Sequence, residues 1–443
     1  MEQSLHRRLL EVTIGGSGKN ASEIDPRRRD EVFAEYVGKA LPDVPLDHIE
    51  TLVTGASLNS VCASCSIDGR KYLLKVHIES GAEGQGRSTL GVGHEYENAE
   101  LLEQAGFPIV APYLRGQNPD FPLLAYPWVD SDTLFDKLEQ SYTLGHSTLT
   151  PDDLTRFETM NTIVGQVTDR SIREVPTAEA LKAPVQALFL NRFAPGGRID
   201  DWYHPTTVFE LPSPDGTKLP LPWETVKNAH WQINGRRHNI PLTQVITEAR
   251  QALSHQDEPT AFTTISHGDD HAGNVFLSAP DPTGHPTARL FDPAFAGENP
   301  AILAHVKAFA HTGLLPMAGM YYNAHLPATY TYDPTENLIH TNLDFQSTPL
   351  STTHHTLAQQ IIDTRLLPTL TTLTKNGANL PLELTRLRTA LVACALLTVN
   401  IPLLLAAGDG RALGLLPMAI MSYTLTGLPS LDYLRDEVER LQS

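Results

Sequence analysis

Residues 265–277 read ISHGDDHAGNVFL, and residues 288–297 read ARLFDPAFAG. His267, Gly268, Asp269 and Asn274 give the pattern H-G-D-x-x-x-x-N. Val275-Phe276-Leu277 and Arg289-Leu290-Phe291 are short apolar runs, and Asp292 stands at the exit of the second. Pro280, Pro282, Gly284 and Pro286 lie between the runs, so the chain turns there. The local expectation is a polar loop, a β-hairpin, and an acidic residue just past the second strand.

This spacing suits phosphoryl transfer. That chemistry needs a carboxylate to orient and deprotonate an attacking hydroxyl, and oxygen ligands to hold Mg²⁺ on nucleotide phosphates. Asp269 is placed for the first task. Asn274 and Asp292 are placed for the second, because a hairpin returns Asp292 beside the loop it left. His267, Asp269, Asp270 and His271 also have the residue types of a hydrolytic metal cluster. Such clusters use ligands at helical spacing or a third distant ligand, and neither is visible here.

The order H-x-D-x-x-x-x-N, strand, strand, Asp matches the catalytic and metal-binding segments of protein-kinase-like enzymes. With Gly after His, where protein kinases usually carry Arg, the chain resembles the aminoglycoside phosphotransferase and choline kinase branch, whose members phosphorylate small molecules. The resemblance implies a two-lobed α+β fold with a small β-rich N-lobe and a large, mainly helical C-lobe. It covers residues 50–137 and 262–300. One departure follows Gly297. Related small-molecule kinases commonly carry a further Asp there that steadies the catalytic loop, and the window from Glu298 to His305 has none.

Upstream, the pattern is strand-like from Ile49 to Val76, and Asp68-Gly69 is a hairpin turn signal. Tyr72-Leu73-Leu74-Lys75-Val76 resembles the strand whose lysine pairs with nucleotide phosphates and a helix glutamate. The turn from Gly55 to Ser60 holds Gly55, Ser57 and Asn59, small residues that let backbone N–H groups approach phosphate. His94 to Ala105 reads as a helix with Gly106 as its stop and Pro108 beyond. Glu95, Ala99 and Leu102 share one face, and the resemblance makes Glu95 the partner of Lys75, with Glu97 and Glu100 as fallbacks. Pro122 to Val129, including Tyr126 and Trp128, reads as the last small-lobe strand entering a hinge. The resemblance implies that this hinge binds the purine.

The remaining segments divide by pattern. Residues 1–48 are an N-terminal extension with a mobile-looking start and one helix from Asp25-Pro26. Residues 49–129 form the nucleotide-binding N-lobe, and 130–443 the C-lobe. Thr150-Pro151-Asp152-Asp153 caps a helix. Residues 186–240 hold three of the four tryptophans, Trp202, Trp223 and Trp231, and the pair Arg236-Arg237. This stretch is too irregular for a helical lobe and too aromatic for a disordered linker. It is expected to be an insertion whose Trp202, Trp231 and Arg236 shape an acceptor pocket. Residues 305–443 are expected to be mainly helical, with a loop at about 340–357.

The 443 residues carry a formal charge of −18, which argues against nucleic acid as a partner. The N-terminus lacks a signal-peptide core. The three cysteines, Cys62, Cys65 and Cys394, imply no disulfide framework. Cys62 and Cys65 are separated so that a strand sends them to opposite faces. Ala390–Gly408 is uncharged and long enough to span a bilayer. Asn400 and Pro402 interrupt it, and the expectation is a buried helix, no membrane, and a cytoplasmic protein. The expected activity is transfer of the γ-phosphate of ATP or GTP, with Mg²⁺, to a hydroxyl of an antibiotic or other small metabolite. A nucleotide-binding pseudokinase that serves as an interaction module, and nucleotidyl transfer on the same fold, are the alternatives.

Overall fold

A computed structural model describes residues 25–52, 60–77, 94–118, 120–255, 258–278, 288–318, 328–345 and 350–442, together with Leu5, Arg8, Leu9 and Val12. The small lobe is built on a five-stranded antiparallel sheet. Its strands are β1 (Asp47–Leu52), β2 (Ser60–Ile67), β3 (Arg70–His77), β4 (Leu114–Arg115) and β5 (Leu124–Pro127), in the order β1-β2-β3-β5-β4. Strand β3 is therefore central. The turn joining it to β2 is made by Asp68 and Gly69, both at positive φ (50° and 74°), as the Asp-Gly signal requires.

Helix α1 (Pro26–Ala40) starts with Asp25 accepting from the Arg27 N–H at 3.0 Å and with proline in its first turn. Its Val32, Phe33, Tyr36 and Val37 pack with Leu74 and Val76 of β3 in a core belonging to this lobe. Leu5, Leu9 and Val12 join that core and are helical. The expected mobile start is thus corrected at those positions, where apolar residues at i, i+4 and i+7 form a buried stripe. Helix α2 (Glu95–Ala105) ends at Gly106 in the left-handed conformation, φ 95°.

The large lobe is mainly helical around a second, larger core. Helices α3 (Leu134–Leu144) and α4 (Pro151–Arg170) both carry reciprocal capping boxes, Thr133/Asp136 and Thr150/Asp153. Helix α5 (Pro184–Phe193) and a three-stranded sheet lie beneath the polar loop. That sheet comprises β6 (Arg173–Pro176), β7 (Thr260–Ser266) and a strand at Gly297–Pro300, with β7 in the middle. The fold is the expected two-lobed α+β arrangement.

Two sequence expectations fail in this lobe. Residues 186–240, expected as an irregular insertion, are largely regular helix and strand. His230–Ile233 and Arg236–His238 belong to a four-stranded sheet completed by Ala328–Asp333 and Leu338–Leu343. His230–Ile233 runs parallel to Leu338–Leu343. The stretch after residue 305 therefore contains two strands, and the loop expected at 340–357 begins as strand and ends as helix from Ser351. The signal was present in the alternating β-branched and aromatic residues of ATYTYD and LIHTNL, with turn residues between them.

The apolar stretch Leu380–Leu397 is a helix in which every residue from Thr389 to Leu397 is buried. Two stretches, Leu380–Ala406 and Gly410–Gln442, are long and apolar enough to cross a membrane, and 56% and 78% of their most apolar windows are buried inside this fold. Trp231 is fully buried on the strand beside Leu338–Leu343. Trp231→Ala is expected to lower stability by about 3–5 kcal/mol through cavity formation, read as a fall in the unfolding midpoint.

Candidate active site

The central strand of the small sheet determines where the site begins. Lys75 faces its Cα partners Cys62 on β2 and Leu124 on β5, so its side chain is walled on both sides and only 2% exposed. Its ammonium lies 3.0 and 3.1 Å from Glu95 Oε1 and Oε2, and 2.5 Å from Asp292 Oδ1. Burial alone would lower the Lys75 pKa. The Asp292 and Glu95 carboxylates more than offset that and hold it above its ordinary value, so the lysine is charged. Glu95 is 1% exposed and also accepts from the Tyr126 hydroxyl. Glu97, by contrast, pairs with Arg115 at the surface.

The polar loop is attached to the same cluster by hydrogen bonds. Strands Val275–Leu277 and Ala288–Leu290 pair antiparallel, Val275 opposite Leu290; the second lies one residue earlier than expected. The Phe291 N–H donates to Asn274 O at 2.9 Å, which sets Asp292 beside the loop. Ile109 forms a bridge to Leu290, and Val110 N–H donates to Leu290 O at 2.8 Å, so the segment after α2 is pinned to the hairpin. Asp292 itself has a positive φ of 62°, an uncommon conformation for a residue with a side chain. Such backbone strain persists where surrounding contacts over-determine it, and here Lys75 holds the side chain.

His267 spans the loop and the strand end. Its Nε2 donates to Phe291 O at 3.0 Å, and its Nδ1 accepts from Asp269 N–H at 3.3 Å. This pairing fixes the tautomer, and burial lowers its pKa, so the ring is neutral. The residue between His267 and Asp269 has to be glycine. Gly268 has φ 77°, and a Cβ there would stand 2.5 Å from Phe295 O and 2.6 Å from Val185 Cγ2.

Five contacts supply the support expected from the missing Asp. Asn299 accepts from Val185 N–H at 3.0 Å and donates to Ser266 Oγ at 3.0 Å and Phe295 O at 3.1 Å. Ala272 N–H donates to Thr312 Oγ1 at 3.0 Å. Asp270 forms a fully buried ion pair with Arg365. Burial would raise the Asp270 pKa, but the Arg365 guanidinium holds it below the ordinary value. Arg365 escaped the sequence reading because it lies nearly a hundred positions downstream, in the π-helical turn Ile362–Leu366.

Lys307 was also missed. Its ammonium lies 2.6 Å from Asp269 Oδ1 and 5.0 Å from the centre of the Phe295 ring. Against burial, Lys307 and then His271 hold the Asp269 carboxyl well below the usual carboxylate range. A signal did exist: Lys307 is the only charged residue in the apolar run AILAHVKAFAHTGLL (301–315). A lysine in so apolar a run needs a buried partner.

The donor set fits a hard cation. Asn274 Nδ2 donates to Asp269 O at 2.8 Å, which leaves Asn274 Oδ1 as the acceptor available to a ligand. Asp292 has its second carboxylate oxygen beyond the Lys75 contact and is 30% exposed. Two oxygen ligands, completed by phosphate and water, are how Mg²⁺ is usually held. Among the described residues, no group of three or more His, Cys, Asp or Glu side chains could hold a metal ion.

Other expected site residues stand elsewhere. Gly55, Ser57 and Asn59 lie outside the described residues. Tyr126 is buried at 1%, so its side chain supports Glu95 and is not open to a purine. The Trp128 N–H donates to Lys71 O at 3.2 Å, and its ring lies under the Lys71 ammonium at 3.6 Å. Trp231 is a core side chain, and Arg236 is exposed and paired with Asp432 at 3.0 Å. Trp202 is half-buried with Arg198 over its ring at 4.9 Å. The pocket expected from these three is not formed by them, because sheet pairing turns Trp231 inward and Arg236 outward.

No family model and no curated protein matches the chain. Solved structures do. The GDP complex of wild-type aminoglycoside 2′-phosphotransferase-IIIa aligns with 89% of this chain and 98% of that chain, at 11% identity and a TM-score of 0.45. Aminoglycoside phosphotransferase APH(4)-Ia aligns over 88% and 98%, at 12% identity and 0.42. Spectinomycin phosphotransferase APH(9)-Ia, in complex with ADP and spectinomycin, aligns over 94% and 99%, at 11% identity and 0.34. At these values, function has to be argued from the residues of this chain.

The Asp270–Arg365 pair gives a direct test of the loop's support. Arg365→Met leaves a buried carboxylate without its cation and is expected to cost about 3–5 kcal/mol. Glu97→Ala, at an exposed pair, is expected to leave the unfolding midpoint nearly unchanged. Denaturant melts of both variants check this.

Proposed function

We propose that the protein is a small-molecule kinase that transfers the γ-phosphate of ATP or GTP to a hydroxyl of an antibiotic or another hydroxylated metabolite. The observation that carries this is the buried Lys75 ammonium held between Glu95 and Asp292, with Asp292 returned by a hairpin to the loop of Asp269 and Asn274. Lys75 is charged and fixed, as a phosphate clamp has to be. Asp269 is ionised and partly open at the edge of the site, 17% exposed. It is suited to hold the acceptor hydroxyl and take its proton.

In the reaction, the acceptor oxygen forms a bond to the γ-phosphorus. The bond from that phosphorus to the β–γ bridging oxygen breaks, and its electron pair leaves with the nucleoside diphosphate. The hydroxyl proton passes to the Asp269 carboxylate. Asn274 and Asp292 would hold Mg²⁺, which when bound neutralises charge on the phosphates. Neutral His267 keeps the loop and the Asp292 segment in register and takes no part in proton transfer. Three free thiols, two of them buried, and a nucleotide donor fit the expected cytoplasmic location.

The test is nucleotide consumption with ATP and GTP in parallel across a panel of hydroxylated metabolites and antibiotics. Product mass separates phosphoryl transfer from nucleotidyl transfer. Asp269→Asn is expected to lower kcat by about 10²- to 10⁴-fold while nucleotide binding persists; an unchanged kcat would remove the role assigned to Asp269. Asp292→Ala is expected to abolish the Mg²⁺ dependence of nucleotide affinity, and Asn274→Ala to weaken it. A fluorescent nucleotide titrated with Mg²⁺ reads both, and intact metal dependence in Asp292→Ala contradicts the kinase reading.

A further inference from the structure

The backbone of Asp269 is fixed within its own loop. Its N–H donates to His267 Nδ1 at 3.3 Å, and its carbonyl accepts from Asn274 Nδ2 at 2.8 Å. Neither contact reaches the carboxylate, so neither sets the side-chain torsions. The group that sets them lies 38 positions downstream, where the Lys307 ammonium donates to Asp269 Oδ1 at 2.6 Å. His271 Nε2 stands 3.7 Å from the same oxygen, beyond hydrogen-bond reach. Both groups meet Oδ1. The carboxylate is partly exposed, and Oδ2 is the oxygen that these contacts leave for a substrate.

Lys307 is itself held from two directions. Its ammonium lies 5.0 Å from the centre of the Phe295 ring. Phe295 O accepts from Asn299 Nδ2 at 3.1 Å, which anchors that ring to the sheet beneath the loop. The backbone of Lys307 belongs to the helical stretch Val306–Ala308, which passes into the π-helical turn Phe309–Leu314. Five residues after Lys307, Thr312 Oγ1 accepts from the Ala272 N–H at 3.0 Å, and Thr312 O accepts from His354 Nδ1 at 2.9 Å. An ordinary α-helix would set residues five apart on different faces. The widened turn, bonded from i to i+5, draws them toward one face. The same helical stretch therefore grips the loop twice, at the Asp269 carboxylate and at the Ala272 backbone.

We propose that Lys307 is a positioning residue for phosphoryl transfer: by holding Oδ1, it presents Oδ2 to the acceptor hydroxyl. The assignment rests on the kinase reading. In that reading the acceptor O–H donates to Oδ2 and its oxygen bonds to the γ-phosphorus. The proton moves to Oδ2 as the bond from phosphorus to the β–γ bridging oxygen breaks, and Lys307 neither gives nor takes a proton. An adjacent ammonium makes the carboxylate a weaker base, which would slow a reaction driven by early proton removal. Phosphoryl transfer passes through a loose transition state, and its catalysis is mainly positioning and electrostatics. A weaker but fixed carboxylate therefore suits it better than a stronger, mobile one. Lys75 then fixes the donor phosphates, and Lys307 fixes the carboxylate that meets the acceptor.

Lys307→Met removes the ammonium and keeps the length of the side chain. With Mg·ATP and the acceptor that the panel identifies, its kcat is expected to fall by about 10²-fold, the cost of a misplaced reacting group, while KM for the nucleotide stays unchanged. Lys307→Arg keeps a cation beside Oδ1 and is expected to recover kcat to within about tenfold of the native value, the remainder reflecting the shape of a guanidinium. Crystal structures of the native protein and of Lys307→Met read the same point without turnover. The Asp269 backbone is expected to stay in place and the carboxylate to leave its native rotamer. Phe295→Leu keeps both charges and removes only the ring that braces the ammonium. It is expected to lower kcat by about tenfold and keeps the test readable if Lys307→Met does not fold. An unchanged kcat in the folded variants, a loss confined to nucleotide KM, or an unmoved carboxylate overturns the proposal. So does a fall in kcat that Lys307→Arg shares in full. If the native protein consumes no nucleotide with any member of the panel, the kinase reading fails, whereas the rotamer of Asp269 in Lys307→Met still decides what Lys307 holds.

Discussion

The buried ammonium of Lys75 is the constraint on which the site depends. A lysine at 2% exposure on the central strand of a sheet is tolerable only with anionic partners at hydrogen-bond distance. It takes one from the small lobe, Glu95, and one from the hairpin of the large lobe, Asp292. One side chain therefore ties the helix Glu95–Ala105, the small sheet and the hairpin segment that carries Asp292 into a single electrostatic unit. Removing Lys75 leaves the Glu95 carboxylate buried without its cation, so the arrangement specifies geometry more than it adds stability.

The same logic recurs a few ångströms away in the loop. Asp269 is matched to Lys307 and Asp270 to Arg365, each acid paired with a base from a distant part of the helical lobe. Neighbouring aspartates thus have different environments. Asp269 is partly open and faces the site, whereas Asp270 is sealed with its arginine and anchors the loop from beneath. Asn299 performs by neutral hydrogen bonds the bracing expected of a carboxylate. An amide serves there because it can both accept from a helix N–H and donate to two oxygens, which an ionised carboxylate cannot do.

Charge also divides the molecule by function. The chain as a whole is strongly acidic, yet the groups beside the Asp269 carboxylate are Lys307 and His271. Net charge, a property of the surface, therefore says little about which charges meet at a largely buried site.

The sequence by itself determined the local elements whose signals are short-range. These include the H-G-D-x-x-x-x-N loop, the hairpin that follows it, the Asp-Gly turn, the capped helices, and the candidate pair Lys75 and Glu95. Turn chemistry, caps and periodicity act over a few residues, so a single chain displays them. Tertiary structure alone decided which charge met which. Arg365 and Lys307 lie far along the chain from their aspartates, and no local pattern encodes a pairing across such separations. Sheet register likewise decided that Trp231 turns into the core and Arg236 to the surface, because a strand shows its two faces in the sequence but not which face the rest of the fold will cover.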